Sequence, residues 1–236
     1  VCDIMPLIGL NRAFVKTGLE VIKAKTNLGI KTLLTLCGEE MEITEFTLGF
    51  VIGPRINAGG RIGKSNLGAT LLSTQNEEEA IAISKELCEL NAKRKEIEDV
   101  SLDLAIEKIE SQRLHEREVI FVEDAAFHQG IIGILSSRIK DRYGKPVGVF
   151  TRMDSYLKAS FRSSNIDIGH IIHKANSAGL LIAGGGHANA GGLSVLAENY
   201  ERLFNFFEEE IKASDKNLIN TIYASAKITS KFIAPQ

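Results

Sequence analysis

The first apolar positions of the chain recur at helical spacing. Leu10, Phe14, Leu19, Val21 and Ile22, within LNRAFVKTGLEVIKA, predict an amphipathic helix. GIKTLLTLCG predicts a second helix that ends at Gly38, and ITEFTLGFVIG a third that Gly53 and Pro54 stop. The next stretch, GPRINAGGRIGKSN, alternates glycines with basic side chains and holds no acid, which predicts a loop. A long helix follows. Asn76 stands as its N-cap with Glu79 three residues on, the capping-box spacing. Ile83, Leu87, Leu90, Ile97 and Leu104 then hold one face as far as about Glu110. Unbroken, that helix is roughly 50 Å long, and its narrow stripe suits a bridge between two domains.

After residue 117 the pattern alternates between strand and helix. EVIFVE, KPVGVFTR and YLKASFR predict strands, and GIIGILSSRIKDRYG predicts a helix closed by Gly144. DIGHIIHKANSAG predicts a helix capped by Asp167. LLIAGGGH and GGLSVL predict strands, and NYERLFNFFEEEIKAS a closing amphipathic helix. The fold class is therefore α/β, with a helical N-terminal segment and a long connecting helix ahead of a mixed α/β domain. LINTIYASAKITSKFIAPQ predicts a strand pair that opens a further β module.

Composition narrows the function classes. The 236 residues are 44% hydrophobic, enough for a substantial core. With 28 basic and 30 acidic residues the net charge is −2, so any nucleic-acid binding must rest on a local basic patch. No apolar run reaches the ~18 residues of a membrane span. Three widely spaced cysteines, Cys2, Cys37 and Cys88, argue against a disulfide scaffold and suit a reducing cytoplasm. The chain opens on Val1 in apolar sequence with no basic leader, and is expected to be a piece of a longer protein.

Three stretches carry candidate chemistry. In LIAGGGHANAGGLSV, residues 181–195, the run Gly184, Gly185, Gly186, His187 and the pair Gly191, Gly192 permit close approach of backbone to a ligand. Their N–H groups can line an anion site, with His187 donating to a phosphate oxygen. The plainer alternative is a turn holding a surface histidine. In KASFRSS, strand geometry puts Lys158, Ser160 and Arg162 on one face, a hydroxyl and a guanidinium matched to a phosphate. The commoner alternative is an edge strand with solvated polar side chains. Arg55, Arg61 and Lys64 form the best local basic patch, able to meet a phosphodiester or to stand as ordinary surface cations. His128 precedes a helix N-terminus, where an anion could bind beside the dipole. His170 and His173 have a metal-gripping spacing without a placed partner. A nucleophile elbow, a P-loop and clustered two-metal carboxylates are absent.

Taken in order, VCDIMPLIGLNRAFVKTGL, GPRINAGGRIG, LCELNAKRKEIE, HQGIIGILSSRIKDRYGKPVGVFT, SFRSS and GGGHANAGG resemble the RecJ-type single-strand-specific exonucleases, a family of the Asp-His-His (DHH) phosphoesterases. The resemblance runs from Val1 to about residue 200. It implies a tail of the DHH catalytic domain at residues 1–64, a connecting helix at 65–116, a DHH-associated substrate-binding domain at 117–214, and the start of a truncated OB-like β module at 215–236. It implies Mn2+ or Mg2+ in the full-length enzyme, with Asp3 matching one metal ligand and the remaining ligands upstream, so that this piece alone neither holds metal tightly nor turns over. It implies a 5′→3′ exonuclease of DNA repair and recombination acting on single-stranded DNA with a 5′ end, with replication or repair proteins as partners. Ser160, Arg162 and Ser163 match the phosphate-holding string, joined by Arg55 or Arg61 and by His128. Gly185, Gly186 and His187 match the loop near the scissile phosphate, with His187 stabilising charge there. The same superfamily leaves open an oligoribonuclease or a cyclic-dinucleotide phosphodiesterase, and a non-catalytic nucleotide-binding module stands beside both.

Overall fold

The computed structural model describes residues 1–2, 5–24, 26–38 and 42–214. Asp3 and the predicted strand pair of residues 215–236 lie outside the described residues. Among the described residues, no helix is long and apolar enough to cross a membrane.

The N-terminal part is helical: α1 (Gly9–Lys23), α2 (Leu28–Cys37), a π-helical turn (Thr47–Ile52), α3 (Gly53–Ile62) and α4 (Leu67–Ser73). Leu33, Ile52, Leu67 and Leu71 close a small core against the first half of the long helix. The expected loop at residues 53–66 is instead mostly α3. Pro54 does not stop the chain, because it sits in the first turn of α3, where a helix needs no N–H. Gly53, Gly59 and Gly63 serve packing, while a Cβ on Gly60 would meet nothing within 4 Å. A Cβ on Gly59 would stand 2.8 Å from the Lys64 carbonyl and 3.4 Å from Leu87. α1 forms as its periodicity predicts, yet Leu10 and Phe14 remain 74% and 71% exposed, and only Leu19 of its stripe is buried.

α5 (Glu77–Ser111) is one unbroken helix of 35 residues. Its N-cap is the predicted one, with Asn76 Oδ1 accepting from the Glu79 N–H at 3.0 Å. Ala80, Ile83 and Leu87 enter the first core, while Ala105 and Ile109 enter a second. Between them the buried stripe turns polar, through Asn91, Arg94, Glu98 and Ser101.

The second part is an α/β domain with strands β1 (Ile120–Glu123), β2 (Val147–Arg152), β3 (Tyr156–Arg162), β4 (Ala183–His187) and β5 (Ala190–Leu196) in the order β1-β2-β3-β5-β4. β1 and β2 are parallel, and every other pairing is antiparallel. Helices α7 (Ile168–Ser177) and α8 (Tyr200–Ala213) cover one face, closing a core around Phe121, Phe150, Phe161 and Phe207. Helix α6 (Ile132–Tyr143) and the end of α5 cover the other face over Ile120, Val122, Val147 and Val149 of β1 and β2, and the first turn of α6 reaches Ser160 and Arg162 of β3. That half-covering leaves one face of β5 and β4 open, together with the Lys158 end of β3. Gly144 ends α6 in the left-handed conformation, φ 66° and ψ 19°, and Asp167 caps α7 by accepting from the His170 N–H at 2.9 Å.

Candidate functional site

The strand registers set out the open face in rows. Arg162 pairs with Ala190, which pairs with His187. Ser160 pairs with Gly192 and Gly192 with Gly185; Lys158 pairs with Ser194 and Ser194 with Ala183. Residues paired across a sheet share a face, as do residues two apart along a strand. Lys158, Ser160, Arg162 and His187 therefore stand on one surface, floored by Gly185 and Gly192. The edge-strand alternative for residues 158–164 does not hold, since β3 is the central strand of five.

The expected glycine loop is a strand pair joined at Ala188 and Asn189, and its glycines divide by parity. Gly184, Gly186 and Gly191 face the packed side. A Cβ on Gly184 would come within 2.8 Å of Leu181 and 2.9 Å of Ile172, one on Gly186 would collide with the Ala190 backbone, and one on Gly191 with Ile172. Gly185 and Gly192 face the open side, where a Cβ would meet nothing within 4 Å at Gly185 and only the Ala159 carbonyl, at 3.7 Å, at Gly192. The hairpin end is pinned from below: Ser163 N–H donates to Asn189 O and Ile168 N–H to Ala188 O, each at 3.0 Å.

One wall of the face is the loop ahead of α6. A Cβ on Gly133, in the first turn of α6, would lie 3.3 Å from Ser160 Oγ and 3.4 Å from Arg162 Nη2, so the bare glycine brings the helix N-terminus against both side chains. Arg162 Nη1 donates to Ser160 Oγ at 3.3 Å and to Phe161 O at 2.8 Å. His128 is exposed, and its Nδ1 accepts from the Gly130 N–H at 3.1 Å. Gln129 Oε1 accepts from Lys158 Nζ at 3.2 Å. Sequence reasoning missed Gln129 and Gly133. The signal for Gly133 was the pair Gly130 and Gly133, one helical turn apart at a helix start, which marks a helix N-terminus approached closely by something else.

The two arginine candidates separate. Arg61 Nη1 donates to Gly130 O at 3.1 Å, which ties α3 to the loop ahead of α6. Burial, aided by the nearby Arg94 and opposed by Glu98, lowers its pKa from the ordinary arginine value. It lines a cleft of about 200 Å³ with Asn57, Arg94 and Ile134. Arg55 instead donates to Val51 O at 2.8 Å, and its buried Nε has no hydrogen-bond partner. It lies beside the Cys37 thiol, inside the helical part. Ser163 also leaves the set. It is 3% exposed, and its Oγ accepts from the Ile166 N–H at 3.0 Å, because alternation along the chain turns it away from Arg162. Among the described residues, no group of three or more His, Cys, Asp or Glu side chains is placed to hold a metal ion, and His170 and His173 are both exposed on α7.

Chemically, the open face offers a guanidinium fork, a hydroxyl, a helix N-terminus, a lysine and a bare backbone floor. That set matches phosphate oxygens and the backbone of a thin, flat ligand.

The chain is similar to known proteins. Residues 116–213 match the DHHA1 domain. The single-stranded-DNA-specific exonuclease RecJ of Haemophilus influenzae is 32% identical over 241 residues, covering 98% of this chain and 42% of that protein. The protein of the same name from Escherichia coli is 36% identical over 213 residues, covering 86% of this chain and 37% of that protein. The chain thus spans less than half the length of these relatives. The crystal structure of RecJ from Thermus thermophilus in complex with Mn2+ superposes with a TM-score of 0.81 at 30% identity, over 91% of this chain and 32% of that one. A crystal structure of exonuclease RecJ bound to manganese gives 0.73 at 31% identity, over 91% of this chain and 53% of that one.

Proposed function

We propose, from the premise that this chain belongs to the RecJ family and carries its DHHA1 domain, that it is the substrate-binding portion of a 5′→3′ exonuclease acting on single-stranded DNA. The observation that carries this reading is the meeting of Ser160 and Arg162 with the first turn of α6 beside the Gly185–Gly192 floor. In this reading the terminal 5′-phosphate sits at Ser160 and Arg162 under the positive end of the α6 dipole. The sugar and the next linkage cross the floor towards His187, where the glycines let backbone and phosphate come close. His187 donates to an oxygen of the linkage there and stabilises charge that develops on it. Arg61 holds the loop ahead of α6 through the Gly130 carbonyl.

The relatives were solved with Mn2+ and Mg2+. Among the described residues of this chain no group of three or more His, Cys, Asp or Glu side chains is placed to hold such an ion. What these residues do is bind, orient and neutralise.

The test is fluorescence anisotropy with a ~10-nucleotide single strand at low salt, where phosphate contacts are strongest. Charge-assisted hydrogen bonds contribute about 1.5–3 kcal/mol, so a 5′-phosphate should tighten binding roughly tenfold or more over a 5′-hydroxyl, and Arg162→Ala should erase the difference. Equal binding of the two ends by the parent chain would overturn the reading. Preference for a dinucleotide over the longer strand would move it to the dinucleotide phosphodiesterases.

A further inference from the structure

We propose that Gly169, in the first turn of α7, is a positioning residue that sets the height of His187 over the glycine floor. The inference rests on the reading above, in which His187 meets the linkage that follows the terminal phosphate, and it names what holds His187 there.

The contact lies directly beneath the site. A Cβ on Gly169 would stand 2.9 Å from each of the N, Cα and C atoms of His187. That leaves no room for a methyl group, and a main chain held in a strand cannot swing aside as a flexible side chain can. The helix therefore meets the His187 backbone from the packed face, while the strand pairing puts the imidazole on the open one. Any rise of the chain at this point carries the imidazole with it.

Hydrogen bonds fix both sides of the contact. Ile168 N–H donates to Ala188 O at 3.0 Å, which ties the residue after His187 to the start of the helix. Asp167 Oδ1 accepts from the His170 N–H at 2.9 Å and closes the first turn around Gly169. His187 pairs with Ala190 across the hairpin. Its backbone is thus held from below, from the next residue and from the partner strand, although the residue is exposed.

The same pattern occurs at the other end of the floor. Both α6 and α7 begin with Ile-Gly, as Ile132-Gly133 and Ile168-Gly169. The glycine of α6 admits the side chains of Ser160 and Arg162, and that of α7 admits the main chain of His187. The two helix starts approach the sheet from opposite faces, at strands β3 and β4, with β5 between them. Gly184 and Gly191 work the other way round: they are strand glycines that admit Ile172 of α7. Gly169 is a helix glycine that admits the strand, at the one residue of that strand with a functional side chain.

The experiment measures binding of 5′-phosphorylated single strands, with and without a neutral methylphosphonate at the first linkage. The chains compared are the parent, Gly169→Ala, Asp167→Ala, His187→Ala and Ala175→Gly. In the parent the neutral linkage should weaken binding severalfold, and in His187→Ala that penalty should vanish. Gly169→Ala should lose most of the penalty but keep the preference for a 5′-phosphate over a 5′-hydroxyl, because Ser160 and Arg162 are untouched. Asp167→Ala frees the first turn without adding bulk and should reduce the penalty partway. Ala175→Gly weakens α7 six residues further on; it should lower the unfolding midpoint and keep both effects. The proposal is overturned if a folded Gly169→Ala chain keeps the penalty in full, or if Ala175→Gly loses it as well. Should Gly169→Ala not fold, a full penalty in Asp167→Ala overturns it. If the neutral linkage costs nothing in the parent, or as much in His187→Ala as in the parent, the underlying reading of His187 fails instead.

Discussion

At the residue scale, the glycines of residues 184–192 show how one composition serves two purposes. Sequence reading finds that backbone must come close to something there, but not to what. Parity decides it: three of the five glycines admit α7 and the partner strand, and two leave the open floor. Two substitutions separate the roles. Gly186→Ala would drive its Cβ into the Ala190 backbone, and such overpacking costs typically about 1–3 kcal/mol; thermal unfolding should register a lower midpoint. Gly185→Ala meets nothing within 4 Å, and its stability should stay within about 0.5 kcal/mol of the parent, while affinity for single-stranded DNA falls because a methyl group now rises from the floor. A Gly185→Ala chain that binds as tightly as the parent would show that the ligand does not touch this part of the sheet. Ser163 marks the limit of reading residues as a string. It adjoins Arg162 in sequence, yet the alternation of the chain buries it.

At the element scale, periodicity recovers α1, α2, α5, α6, α7 and α8, with the caps at Asn76, Asp167 and Gly144. It fails at residues 53–66, because glycine and proline carry opposite meanings in a loop and in a tightly packed first turn. It also leaves open what each face meets. The stripe of α5 reads as one apolar seam, whereas the buried residues at its waist are Asn91, Arg94 and Glu98. Arg94 and Glu98 pair there with side chains only 11% and 6% exposed, Asn91 Oδ1 accepts from Arg94 at 3.3 Å, and Arg138 of α6 reaches Glu98 at 3.0 Å. The LNAKR string that carries much of the family resemblance is thus a structural junction between the two cores. Glu98→Ala leaves the buried Arg94 charge unpaired and should lower stability by about 3–5 kcal/mol, read from the urea midpoint. The double variant Arg94→Met, Glu98→Met should recover most of that loss, because apolar replacement of a buried pair is often near neutral. A double variant as unstable as Glu98→Ala would show that packing, and not the stranded charge, sets the cost.

At the scale of the whole molecule, the net charge of −2 hides the gathering of Lys158, Arg162 and His187 on one face, which only the sheet order reveals. The loop ahead of α6 is the point where both parts of the chain converge. Arg61 holds it from α3, and Lys108 of α5 anchors its beginning by donating to Glu123 O at 2.8 Å and pairing with Asp124. The hydrogen bond from Lys108, joined by the Ala126 N–H at 2.8 Å, holds the Asp124 carboxyl below its ordinary value of 3.8 against a smaller opposing effect of burial. A carboxyl with a lower pKa in the folded chain than in the unfolded one binds fewer protons when folded. Its contribution is therefore complete above about pH 4 and disappears as pH falls through the folded-state value. Asp124→Asn should be less stable than the parent at pH 7 and at pH 5 by the same amount, and the gap should close towards pH 3, measured by urea unfolding at each pH. A gap that stays constant down to pH 3 would mean that the charge pair contributes nothing and that the amide is simply a poorer fit than the carboxyl. Because this pair fixes the start of the loop that carries Gln129 and leads into Gly133 of α6, the difference between parent and variant in binding a 5′-phosphorylated strand should narrow over the same pH range.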